Sequence, residues 1–99
     1  MALFGNPDHE YVAVRPSRQD GCFLLEYRVS EDNVMLNGIV DSMMARFPED
    51  PDILQRHHGH IVGEPIFATL DIPNQGCSDM QIANIFRGIC IQFEQNINL

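Results

Sequence analysis

His57, His58 and His60 are the one local cluster of transition-metal ligands in the sequence. Imidazole is a common zinc ligand, but the spacing H-H-G-H is neither the HExxH helix pattern nor accompanied by a CxxC pair. A tetrahedral site would have to borrow Cys22, Cys77 or Asp79 from elsewhere in the fold. Neighbouring carboxylates can also move histidines through the physiological pH window. The simpler expectation is imidazoles without a chemical role, so no metal and no cofactor is expected.

Nucleophilic chemistry is no better marked. Cys22, Cys77 and Cys90 are three cysteines at irregular spacing, expected as reduced, packed thiols. There is no G-x-S-x-G elbow and no glycine-rich phosphate loop. The chain also contains no lysine, which removes a P-loop lysine, a Schiff base and a lysine general base. The expectation is a protein that is not an enzyme.

The carboxylates are the more informative group. Fourteen Asp and Glu against six Arg leave a net charge of −8, which disfavours direct contact with nucleic-acid phosphates. The densest acidic segments are Glu31-Asp32 and the turn carrying Glu49, Asp50 and Asp52, bracketed by Pro48 and Pro51. Prolines stiffen a segment and lower the entropy lost when a partner docks. Glu49, Asp50, Asp52, Glu31 and Asp32 are therefore the expected partner-binding residues, facing another protein with a basic surface.

These residues need elements to hold them. Val12 and Val14 alternate with Tyr11, Ala13 and Arg15 over residues 10–15. Phe23, Leu25, Tyr27 and Val29 alternate with Cys22, Leu24, Glu26 and Arg28. Pro16 and Asp20-Gly21 lie between the two runs, which predicts an antiparallel hairpin. Ser30 is the expected N-cap of a helix, with Glu31 and Asp32 in its first turn. Leu36, Ile39, Val40, Met43 and Phe47 give that helix one apolar stripe, and Pro48 ends it. Phe47 is expected in the core. A single helical turn over Ile53 to His58, closed by Gly59, and a short strand over 60–62 follow.

Ile66, Ala68, Leu70 and Ile72 alternate with Phe67, Thr69 and Asp71 in another strand. Ser78 and Gln81 form a capping box ahead of a second stripe, Ile82, Ile85, Phe86, Ile89 and Phe93. Its far end is open to two readings. A continuous helix must tolerate Gly88 inside it, whereas a strand over 89–93 would complete a ferredoxin-like order with an extra N-terminal strand.

The 99 residues suit one domain, 1–99, of the α+β class: a mainly antiparallel sheet with two main helices packed on one face. No apolar run approaches the length of a membrane span, and no export signal opens the chain, so a soluble cytoplasmic protein is expected. A small, acidic, motif-poor α+β domain is a profile shared by immunity proteins against bacterial toxins, phage-encoded inhibitors and type III secretion chaperones. The first expectation is an inhibitor of a basic nuclease or nucleic-acid-handling enzyme. The alternatives are a ferredoxin-like regulatory or assembly module that binds a ligand or dimerises, and a secretion chaperone.

Overall fold

The alternation in Cys22–Val29 makes a strand whose two faces differ completely in polarity, and that strand is the centre of the sheet. The computed structural model describes residues 2–48, 57–58 and 65–97, with backbone only at 57–58 and 96–97. Its elements are β1 (Ala2–Gly5), β2 (Tyr11–Pro16), β3 (Cys22–Val29), α1 (Val34–Arg46), β4 (His57–His58), β5 (Ile66–Pro73) and α2 (Asp79–Ile97). The strand order is β1-β2-β3-β5-β4, antiparallel at every pairing. This is the expected α+β architecture.

β2 and β3 form the hairpin predicted from their patterns, with Val12 opposite Tyr27 and Val14 opposite Leu25. β5 pairs with β3 along its whole length, Leu70 opposite Leu25 and Ile72 opposite Phe23. The chain leaves β3 through α1, enters β4 beyond β5, and returns along β5 between them, so β3 and β4 are parallel with β5 inserted. β1 is a short edge strand that the sequence pattern did not announce. Gly5 closes it at φ +100°, where a Cβ would lie 2.6 Å from the Glu10 carbonyl oxygen, so a side chain is excluded both by conformation and by space.

Both stripes do what their spacing predicted. Leu36, Ile39, Val40, Met43 and Phe47 are buried on the sheet with Val12, Val14, Phe23, Leu25, Leu70 and Ile72. The Phe23 and Phe47 rings meet edge to face with centroids 5.0 Å apart, which places Phe47 in the core. From α2, Ile82, Phe86 and Cys90 are buried, with Ile85, Ile89 and Phe93 half-buried against the same cluster. Each fully buried large apolar side chain stabilises the fold by about 1.5–3 kcal/mol.

Three expectations are corrected. The N-cap of α1 is Asn33, whose Oδ1 accepts from the Leu36 amide at 3.1 Å, because the Ser30 hydroxyl and amide are both taken by Glu10. Glu31 and Asp32 consequently precede the helix instead of occupying its first turn. His57 and His58 pair as a strand with Phe67 and Ala68, not as a helical turn, because the exposed edge of β5 offers them backbone partners. Residues 89–93 are helical, so the ferredoxin-like final strand is not formed there. The capping box holds the start of that helix as predicted: the Ser78 amide donates to Gln81 Oε1 at 2.8 Å, and the Gln81 amide to Ser78 Oγ at 3.2 Å. The acidic turn over 49–52, the segment 53–56, the closing Gly59 and the strand expected at 60–62 lie outside the described residues.

Two glycines sit inside helices for different reasons. Gly38 on α1 lies under the Phe93 ring of α2, where an added Cβ would be 2.8 Å from Cζ. Gly88 is exposed, and an added Cβ would meet nothing within 4 Å among the described residues. An interior helical glycine costs about 1 kcal/mol relative to alanine. Urea unfolding at low micromolar concentration is expected to show Gly88→Ala gaining up to about 1 kcal/mol. Gly38→Ala should lose on the order of 1 kcal/mol, because the crowding of Phe93 outweighs the helix preference.

Candidate protein-binding surface

The sheet face turned away from α1 and α2 is built from the alternate residues of the strands that build the core. Its side chains line up in rows across the strands: Tyr11, Arg28 and Phe67 in one, Ala13, Glu26 and Thr69 in the next, Arg15, Leu24 and Asp71 in the third. The Arg28 guanidinium lies 5.6 Å from the ring centroids of both Tyr11 and Phe67. The Tyr11 hydroxyl donates to Glu26 Oε2 at 2.8 Å, and Arg15 Nε lies 3.5 Å from the same oxygen. Burial, together with the Glu26 carboxylate it donates to, raises the Tyr11 hydroxyl above its ordinary pKa.

This network holds part of the positive charge. Arg15 and Arg28 are half-buried and engaged with the sheet's own acid and rings, whereas Arg18, Arg46 and Arg87 are exposed, Arg46 with its guanidinium 5.1 Å from the Phe47 ring centroid and Arg87 donating to Asn84 Oδ1 at 3.2 Å. Among the described residues, exposed carboxylates outnumber the exposed arginines. Asp8, Asp20, Glu31, Asp32, Asp41, Asp79 and Glu94 are exposed, whereas Glu10, Glu26 and Asp71 are half-buried and hydrogen-bonded within the domain.

Of the acidic residues singled out by sequence, Glu31 and Asp32 are exposed in the turn before α1. The 13 residues of α1 carry the chain about 20 Å from that turn to the Phe47–Pro48 end. Glu49, Asp50 and Asp52 lie outside the described residues. Glu31 and Asp32 therefore form an exposed acidic pair at the N-terminal end of α1, and Asp41, further along the helix, is another exposed carboxylate.

Potential catalytic features are sparse where the structure describes them. No group of three His, Cys, Asp or Glu among the described residues is placed to hold a metal ion. Cys22, Cys77 and Cys90 are free thiols. Burial pushes Cys90 up to about 12, with a smaller contribution from the nearby Glu94 carboxylate, which leaves it un-ionised at neutral pH. An open hollow of about 470 Å³ beside the β2–β3 turn is lined by Ser17, Arg18, Leu24 and Asp71. There Ser17 Oγ donates directly to Asp71 Oδ1 at 2.6 Å, a seryl–carboxylate pair with no imidazole among the lining residues.

Sequence patterning also missed Glu10, which organises the acidic end. Its Oε1 accepts from the Ser30 amide at 2.8 Å, the Ser30 hydroxyl at 2.7 Å and Asn33 Nδ2 at 3.2 Å. The start of β2 is thereby tied to the cap of α1, and the intervening Glu31 and Asp32 are held outward. The Ser30 amide and hydroxyl hold the Glu10 carboxyl below its ordinary pKa. A lowered carboxylate pKa contributes stability that is present above the unfolded-state value and lost as pH falls through the folded one. Wild type is thus expected to lose stability from about pH 5 downward more steeply than Glu10→Gln, as followed by chemical denaturation across pH. Equal slopes would show that the carboxylate contributes no ionisation-linked stability.

In comparisons with known proteins, no family model matches the chain, and no curated protein or solved structure is similar to it.

Proposed function

We propose that the chain is an acidic protein-binding inhibitor of the immunity or phage type, acting in the cytoplasm by occluding a basic nuclease or nucleic-acid-handling enzyme. The observation supporting this reading is the partition of charge. Arg15 and Arg28 are drawn onto the sheet's own acid and rings, and among the described residues seven exposed carboxylates against the exposed Arg18, Arg46 and Arg87 dominate the field that an approaching molecule meets. An enzyme that grips phosphates presents Lys and Arg, and a negative surface can occupy that site without copying a duplex. Blocking by occlusion asks for complementarity and fast encounter, and requires no catalytic group in the inhibitor.

Glu31 and Asp32 supply one end of the proposed contact, and Glu49, Asp50 and Asp52 are assigned to it from the sequence. Stopped-flow association with the captured partner should slow at least about tenfold between low and high salt, with a smaller change in dissociation. Reversing Glu49, Asp50 and Asp52 to Arg should lower the association rate by about tenfold or more and leave unfolding almost unchanged. Met43→Asp is the contrasting variant: Met43 is fully buried, and a lone charge there should unfold the domain. Binding that is equally fast at all salt concentrations, or unaffected by the triple reversal, would overturn the electrostatic interface.

A further inference from the structure

We infer that the outward face of α2 is a self-complementary contact for a second copy of this chain, formed by antiparallel packing of α2 on its symmetry mate. Asn84, Gly88, Ile91 and Gln95 fall at i, i+4, i+7 and i+11, one stripe on the helix side turned away from the core. All four are exposed, and Ile91 is 52% accessible although apolar.

The order of residues in this stripe is palindromic in chemistry. In an antiparallel pair centred between Gly88 and Ile91, Ile91 faces Gly88 of the copy and Gly88 faces Ile91, while Asn84 faces Gln95 and Gln95 faces Asn84. The apolar knob meets the position with no side chain, and each amide meets an amide. Among the described residues nothing approaches the missing Cβ of Gly88, in contrast to Gly38, whose space is filled by Phe93. A close neighbouring helix supplies a reason for glycine at position 88 that these residues do not.

Charge gives the second, independent argument. Arg87 and Glu94 lie on the same flank of α2, seven residues apart. A two-fold axis normal to the plane of the two helices keeps that flank on the same side in both copies. With the same centre, Arg87 of one copy and Glu94 of the other are offset by only two residues, about 3 Å along the axis, within side-chain reach. One symmetry operation therefore brings about the Ile–Gly fit, the amide pairs and both ion pairs, the last two alongside the Arg87–Asn84 hydrogen bond within each copy. The same flank adjoins a shallow groove of about 200 Å³ over Phe4, Phe86 and Cys90, with Leu3 41% accessible at its edge, which extends the apolar contact toward β1.

One helix pair buries less than the roughly 1,200–2,000 Å² of a stable interface, so a weak dimer is expected, with Kd on the order of 10–100 µM. Sedimentation velocity of the full chain from about 5 to about 500 µM should show concentration-dependent dimers. Arg87→Glu and Glu94→Arg should each weaken the dimer about tenfold or more, and the double variant R87E/E94R should restore it to within about threefold. Gly88→Ala should also weaken association while raising the monomer Tm by up to about 4–8 °C, a divergence that a purely structural role for position 88 would not produce. A single monomeric species throughout the range, single reversals without effect, or a double reversal no better than the singles would each overturn the proposal.

Discussion

The register of β3 is the constraint on which the rest of the molecule depends. It is paired along its full length with β5 and over residues 23–28 with β2, so its pleat fixes what both faces of the sheet present. Phe23, Leu25 and Val29 go to the helices, and Cys22, Leu24, Glu26 and Arg28 go to the other side. A slip of one residue would drive Glu26 and Arg28 into the core and expose the residues that hold α1 and α2. Desolvating an unpaired charge costs far more than a single apolar contact returns. The register is therefore tightly specified, and with it the placement of Arg28 between Tyr11 and Phe67.

From that register follows the unusual distribution of charge. The sheet face away from α1 and α2 is a mixed ladder of rings, cations and acids that contact one another. The surplus of carboxylates is left to the turns and the exposed sides of the helices. Glu10 adds a local device, accepting three hydrogen bonds at the junction of β2 and α1 so that the acidic turn is anchored from beneath. Composition alone shows a charge of −8; the fold shows that Arg15 and Arg28 are held on the sheet while most of the described carboxylates stay exposed.

Local periodicity makes much of this legible in the amino-acid order alone. The hairpin, both helical stripes, β5 and the Ser78–Gln81 capping box follow from spacing, because in each case a side chain's fate is decided by its near neighbours in sequence. What escapes such reading is decided at long range. Ser30 looks like an N-cap until Glu10, twenty residues away, takes its hydroxyl and amide. His57 and His58 become strand because β5 presents an open edge, and Gly88 stays helical because Phe86, Ile89 and Phe93 on either side are drawn to the core. For the candidate surface, the sequence pointed to acidic residues but not to the pairing of Tyr11, Arg28 and Phe67, which only cross-strand register brings together.

The central claim is that the outward field is negative because exposed carboxylates outnumber exposed arginines, two of the cations being held on the sheet. It is tested most directly by adding a short oligolysine peptide to isotopically labelled protein and mapping amide shifts at low and high salt. The account predicts shifts around Glu31, Asp32, Asp41, Asp79 and Glu94 that vanish when the Debye length falls to about 3 Å near 1 M salt. Shifts centred on Tyr11, Arg28 and Phe67, or shifts that persist at high salt, would contradict it.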